Sequence, residues 1–165
     1  MVLDCRQLFA GADTPIVIQA TLDFSDREFF GCQPFSSPVY IAGSVSFRVG
    51  VVTLEFQAKT VLQLSCDRCL TEFQRPFSVN AIHVLVQETN LEEIPEDYLL
   101  LSDGMLDLDE VCEGDLFLEL PSKFLCSPEC KGLCQKCGTN LNKGACQCEH
   151  KQIDPRLEVL KKLLD

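Results

Sequence analysis

The 165-residue chain has no tryptophan and only two tyrosines, two histidines and two methionines. It has no apolar run near the eighteen residues of a membrane-spanning helix. Its start, Met1 to Arg6, has neither the basic residues nor the apolar stretch of a secretory signal. These absences predict a cytoplasmic protein without a membrane partner. No Ser/His/Asp order, phosphate-cradling glycine loop or isolated carboxylate pair stands out, so nothing in the sequence argues for an enzyme. Lysine and arginine are missing altogether from residues 88–119, where twelve acids stand. Residues 1–87 carry six basic and eight acidic groups, and residues 120–165 carry eight and five, for a net charge of −11. The acidic middle repels a polyanion, which excludes RNA binding over the whole surface and leaves room only for local contact.

A chain of this length can bury about 70% of its unfolded surface, so size alone forces neither metal nor disulfide. From Val39 to Val49 the apolar residues fall on odd positions, the period of a half-buried strand. After Gly50 they fall on even positions, from Val52 to Leu64, and the two runs should pair antiparallel. Residues 73–87 put Phe77, Val79 and Ala81 on one parity and Ile82, Val84 and Val86 on the other, which predicts a bulge or burial on both faces. Residues 16–22 read as an edge strand. The acidic stretch changes period: Asp107 and Glu110 make a capping box, and Leu108, Val111, Cys112 and Leu116 recur at helical spacing up to Pro121. Asp154-Pro155 opens a short C-terminal helix striped by Leu157, Leu160, Leu163 and Leu164. Both stripes read first as ordinary packing. The fold class is α+β: an antiparallel β-rich, meander or barrel-like domain over residues 1–125, and a small cysteine-rich zinc-binding segment with the C-terminal helix over residues 126–165.

Eleven cysteines, an odd number in a reducing compartment, argue against a disulfide framework and for metal-held thiolates. Cys66-Asp67-Arg68-Cys69 lies between two strand-like runs and reads as a hairpin tip with two thiolates facing one ion. A redox Cys-x-x-Cys belongs instead at a helix N-terminus. Residues 126–150 hold six cysteines but only Leu133, Leu141 and Ala145 as other apolar side chains, so metal must replace a core there. Cys134 and Cys137 have the knuckle form, and Cys146 and Cys148 stand two apart, able to complete a four-thiolate site. Cys126 and Cys130 then pair with Cys66 and Cys69, for two Zn²⁺ ions in all. One ion is the simpler alternative, held by Cys126, Cys130, Cys134 and Cys137 with the hairpin thiols free. A more distant alternative is a thiol or iron–sulfur redox protein, since Cys130, Cys134 and Cys137 have a radical-enzyme spacing; the chain is too short for the partial barrel such enzymes need. Cys5, Cys32 and Cys112 read as small buried side chains, His83 as packing, and His150 as a lesser candidate ligand.

Gly43, the Cys66-Asp67-Arg68-Cys69-Leu70 hairpin followed by Phe73, Glu119-Leu120-Pro121, the block from Cys126 to Asn142 and Asp154-Pro155-Arg156 together resemble the YceD-type large ribosomal RNA subunit accumulation proteins. The resemblance implies a non-enzymatic role in the synthesis, processing or stability of large-subunit (23S) rRNA in bacteria and plastids. It also suits a detachable second site, because some family members lack the distal cysteines. A chain this acidic is better suited to hold a basic ribosomal protein or assembly factor than to coat rRNA, and this is the expected partner. A zinc ribbon touching rRNA through a local lysine face is the alternative.

Overall fold

A computed structural model describes residues 1–29, 31–87 and 98–148. The elements are β1 (Val2–Asp4), α1 (Arg6–Phe9), β2 (Ile16–Leu22), β3 (Val39–Arg48), β4 (Val51–Ser65), β5 (Glu72–Gln87), β6 (Tyr98–Leu101), β7 (Met105–Asp107) and α2 (Leu108–Glu119). The fold is α+β. One five-stranded sheet has the order β2-β3-β4-β5-β6, and β1 pairs with β7 in a separate ribbon. The large sheet is open, not a closed barrel, with β2 and β6 at its edges. β2 to β5 run antiparallel, whereas β6 lies parallel to β5, starting at Val84↔Tyr98.

One face of this sheet is covered, and alternation decides which. Val39, Ile41 and Val45 of β3 and Val52, Leu54, Phe56, Ala58, Leu62 and Leu64 of β4 are buried there. Leu8 of α1, Phe24, Phe35 and the Leu108, Cys112 and Leu116 stripe of α2 close the core over them. Phe35 stacks on Phe117 at 5.9 Å. Asp107 caps α2, its carboxylate accepting from the Asp109 N–H at 3.1 Å.

β5 contains no bulge. Its register with β4 is continuous from Val52↔Leu85 to Ser65↔Glu72. The mixed parity has another cause: Ile82 points away from the covered face and is 70% exposed, while Val84 and Val86 are half-buried beside β6. Cys32 also departs from expectation. A turn through Gly31 (φ 77°) carries it to the surface despite its phenylalanine neighbours, its Sγ 2.9 Å from the Phe29 carbonyl. Cys5 and Cys112 are buried. The C-terminal helix expected from Asp154, His150, and residues 88–97 of the acidic stretch lie outside the described residues.

Two positions, one within β3 and one in the turn after it, bear opposite strain. Gly43 sits opposite Phe56, and a Cβ there would lie 2.2 Å from the Glu55 carbonyl and 2.6 Å from the Phe56 Cα, so backbone excludes any side chain. At the two-residue β3–β4 turn the fully exposed, β-branched Val49 is held at φ 53° before Gly50 at φ 81°, a conformation suited to Asn-Gly. Gly43→Ala should lower stability by about 1–3 kcal/mol, the usual cost of overpacking, and Val49→Asn should raise it by about 1 kcal/mol. Urea unfolding midpoints shifted in these opposite directions are the expected result.

Candidate metal centres

The β4–β5 hairpin ends in a tight turn. The Cys66 N–H donates to the Thr71 carbonyl at 3.0 Å and the Leu70 N–H to the Cys66 carbonyl at 2.8 Å, with Leu70 left-handed at φ 56°. The same turn recurs beyond α2. The Cys134 N–H donates to the Thr139 carbonyl at 2.9 Å and the Gly138 N–H to the Cys134 carbonyl at 2.8 Å, with Gly138 at φ 71°. In both, the threonine hydroxyl lies against the second sulfur, 3.3 Å for Thr71 and Cys69 and 3.1 Å for Thr139 and Cys137. The repeated unit is therefore Cys-x-x-Cys-x-Thr. Its threonines were missed in the sequence, although their shared spacing from the cysteines was the signal.

These turns and the segments beside them gather eight sulfurs into two groups. Cys66, Cys69, Cys126 and Cys130 form one and Cys134, Cys137, Cys146 and Cys148 the other, with the sulfurs of each group within 4.8 Å of one another. The one-ion grouping of Cys126 and Cys130 with Cys134 and Cys137 is not the arrangement among the described residues. In the first group Cys66 and Cys130 are 3.7 Å apart and Cys69 and Cys126 3.6 Å. A disulfide would bring sulfurs to about 2.05 Å, whereas a tetrahedron of Zn–S bonds near 2.3 Å sets them about 3.8 Å apart. The donor set and its spacing fit a tetrahedral thiophilic ion.

The hairpin tip also seizes the chain that supplies the other ligands. Asp67 and Phe124 exchange two hydrogen bonds, backbone N–H to carbonyl at 2.8 Å and Phe124 N–H to carboxylate at 2.7 Å. The Arg68 guanidinium donates to the Cys130 carbonyl at 2.9 Å, and the Leu133 N–H donates to the Arg68 carbonyl at 3.0 Å. Arg75 donates to the Leu125 carbonyl. Gly132, at φ 75°, lies so close that a Cβ would stand 3.0 Å from the Arg68 carbonyl. Two asparagines join the groups: Asn142 Nδ2 donates to the Cys130 sulfur at 3.2 Å, and Asn140 Nδ2 to the Thr71 hydroxyl at 3.3 Å. Such outer contacts fix ligand orientation.

Burial and charge distinguish the groups. Cys66, Cys69 and Cys130 are buried against Phe73, Leu125 and Leu133, but in the second group Cys134 alone is buried and Cys137 is exposed. Burial pushes the Cys66 thiol up, yet the surrounding backbone N–H groups outweigh it and hold the thiol at about 6. The Thr71 hydroxyl lowers Cys69, and the Thr139 hydroxyl, with the Thr139 N–H, lowers Cys137 to about 6. Their neighbours move the other way. Cys126, sharing its proton with Cys69, and Cys148, sharing with Cys137, are pushed up to about 12. Each group thus contains both thiolates and thiols, and a cation binding all four sulfurs must expel protons.

His83 is not a ligand. Its Nε2 meets Asp115 Oδ2 at 2.7 Å and its ring stacks on Phe56, which is packing as expected.

Thiol chemistry can read this ordering directly. In metal-free protein the cysteines of the second group, with Cys137 already exposed, should be modified by iodoacetamide first. Cys66 is fully buried, and Cys112 is buried and raised to about 12, so both should lag. Peptide mass spectrometry after short exposures provides the comparison.

Comparison with known proteins now bears on what this architecture belongs to. The family model described as large ribosomal RNA subunit accumulation protein YceD matches residues 54–164, which takes in β4, β5, α2 and all eight grouped cysteines. The Bacillus subtilis protein YlbN is 25% identical over 129 residues, covering 78% of this chain and 75% of that protein. The chloroplastic large ribosomal RNA subunit accumulation protein YCED homolog 1 of Arabidopsis thaliana is 27% identical over 150 residues, covering 73% of this chain and 47% of that protein. The chain spans about half the length of the curated plant relatives it matches. No solved structure matches it. With two thirds of its length fitting the family model, the chain belongs to the YceD family of large ribosomal RNA subunit accumulation proteins.

Proposed function

We propose that this protein is a non-enzymatic, zinc-stabilised factor of the cytoplasm that supports the accumulation of large-subunit rRNA by engaging a protein on large-subunit precursors. Family membership carries the rRNA role. The two sulfur groups support two Zn²⁺ ions, with Cys66, Cys69, Cys126 and Cys130 on one and Cys134, Cys137, Cys146 and Cys148 on the other. Zinc has no redox chemistry of its own, and four-sulfur sites leave no open position for substrate. The ions on this reading are structural. Each four-thiolate centre has a formal charge of −2, so two of them deepen the net from −11 to about −15. That charge favours a basic protein partner over RNA.

A second reading has one observation in its favour. Lys123, Lys131, Lys136 and Lys143 are exposed, and Glu129 is the single acid in residues 120–148. On that reading the zinc segment touches rRNA directly and locally. Purified protein binding an isolated large-subunit rRNA fragment with a salt dependence lost in the Lys131→Glu and Lys136→Glu variant would establish it.

Residues 1–125 are proposed as the part that folds by burial and residues 126–165 as the part that folds by metal. Structural zinc in small peptide sites contributes about 10–16 kcal/mol, comparable to the roughly 5–15 kcal/mol stability of a whole domain. Elemental analysis should give two zinc ions per chain, and Cys66→Ser with Cys69→Ser should leave one. Removal of the second ion, by chelator or by Cys134→Ser with Cys137→Ser, should open the chain to trypsin between Lys131 and Lys151 while the sheet stays protected. In cells lacking the gene, large-subunit rRNA should fall relative to small-subunit rRNA. The native chain should restore it and co-sediment with large-subunit precursors; a native chain that never sediments with them would sink the proposed role.

A further inference from the structure

α2 has a second apolar stripe that the core covers only at Val111. Its inner stripe is Leu108, Cys112 and Leu116. Val111, Gly114 and Leu118, at i, i+3 and i+7, form another along one helix face, and there Val111 is half-buried, Gly114 exposed and Leu118 84% exposed. This stripe is one wall of an open groove of about 880 Å³, whose other wall is made by Leu100 of β6 and Met105 of β7, both partly exposed, with His83 of β5 at its side. Asp107, Glu110 and Asp115 line the same groove, and among the described residues no lysine or arginine does.

Gly114 gives the stripe its meaning. Glycine is the poorest helix former short of proline, and nothing of this chain lies within 4 Å of where its Cβ would be. The glycine therefore makes no room for any described part of its own fold. It opens the middle of the groove instead, so that another chain can approach the helix backbone.

We propose that this groove is the docking site for a basic, apolar segment of a protein partner, its apolar residues against Val111, Leu118, Leu100 and Met105 and its lysines or arginines against Asp107, Glu110 and Asp115. The assignment rests on the partner-directed role proposed above and names its surface. Charge complementarity selects the occupant: Asp115 is bonded to His83 and Asp107 lies 3.6 Å from the Met1 ammonium, but Glu110 makes no ion pair among the described residues, and an apolar floor with this acidic rim repels nucleic acid and acidic peptides alike.

A fluorescein-labelled 16-residue peptide with leucines at i, i+3, i+4 and i+7 and lysines elsewhere serves as probe, read by anisotropy with the full-length, zinc-loaded protein. Exchanging its lysines for glutamates, or its leucines for serines, should each weaken binding at least tenfold. Gly114→Leu, which fills the groove, and Leu118→Lys, which reverses its charge character, should do the same. Val17→Lys, on an exposed residue of β2, should not. Gly114→Leu should also raise the melting temperature, so its loss of binding cannot be laid to misfolding.

Equal affinity for the serine peptide, or unchanged binding by both groove variants, overturns the proposal. So does a tenfold gain of affinity on Leu160→Asp with Leu163→Asp, which would give the groove to the chain's own C-terminal segment. A concentration-dependent dimer abolished by Leu118→Lys would give it to a second copy, with the same consequence. Groove variants that lose the peptide but still co-sediment with large-subunit precursors overturn the groove as partner surface and leave the rRNA role standing. Wild-type protein that binds the peptide yet never sediments overturns only that role.

Discussion

The tie between the β4–β5 hairpin tip and the chain leaving α2 is the interaction on which the rest depends. Residues 126–148 have too few apolar side chains to fold by burial, so their position must be imposed. β4 and β5 reach past β3, whose register with β4 ends at Tyr40↔Lys59, and present Cys66 and Cys69 beyond the core's rim. There Asp67 holds Phe124, Arg68 holds Cys130 and Leu133, and Arg75 holds Leu125. These bonds are individually worth about 1 kcal/mol, so by themselves they do not fix a segment whose ordering costs about 1–2 kcal/mol for every residue. A metal bond network that closes only when the hairpin and the segment meet changes that balance.

The two turns built on Cys-x-x-Cys-x-Thr divide the task. The first is embedded: its sulfurs are buried and its backbone continues an antiparallel pair at Ser65↔Glu72. The second is joined to the first by Gly132 against Arg68, Asn142 on the Cys130 sulfur and Asn140 on Thr71. Order therefore runs one way, from sheet to first group to second.

Much of this was legible in the sequence because the period-two signal is strong. The odd-to-even switch at Gly50 marks the β3–β4 hairpin, and Asp107 marks the start of α2. Cys66 with Cys69 and Cys134 with Cys137 face their sulfurs one way for a simple reason, that a two-residue insertion is what a tight turn needs; Cys126 and Cys130, with three residues between, and Cys146 and Cys148, with one, join them. Other features had no such signal. β6 is four residues long and parallel to β5, a pairing that its own alternation does not announce. The exposure of Cys32 depends on one glycine turn, and the mixed parity of β5 on which neighbours happen to cover Val84 and Val86. The groove beside α2 was invisible for the same reason: Leu118 reads as core by type, and only the placement of β6 and β7 decides that it is not.

The first metal group and the groove are linked by a short piece of chain. α2 ends at Glu119, Pro121 prevents its continuation, and Leu120 and Phe124 are both anchored in the core before Cys126 enters the first group. The exit of α2 is thus fixed at two buried side chains and, through Asp67 and Cys126, at the hairpin tip. The helix that carries Val111, Gly114 and Leu118 is held from below by its inner stripe and from its C-terminal end by this linkage. An ion in the first group would hold that end still, since Cys126 could leave its place only by breaking the site. On the proposed reading such an ion would act on the partner surface without touching it, by limiting how far the wall of the groove can move.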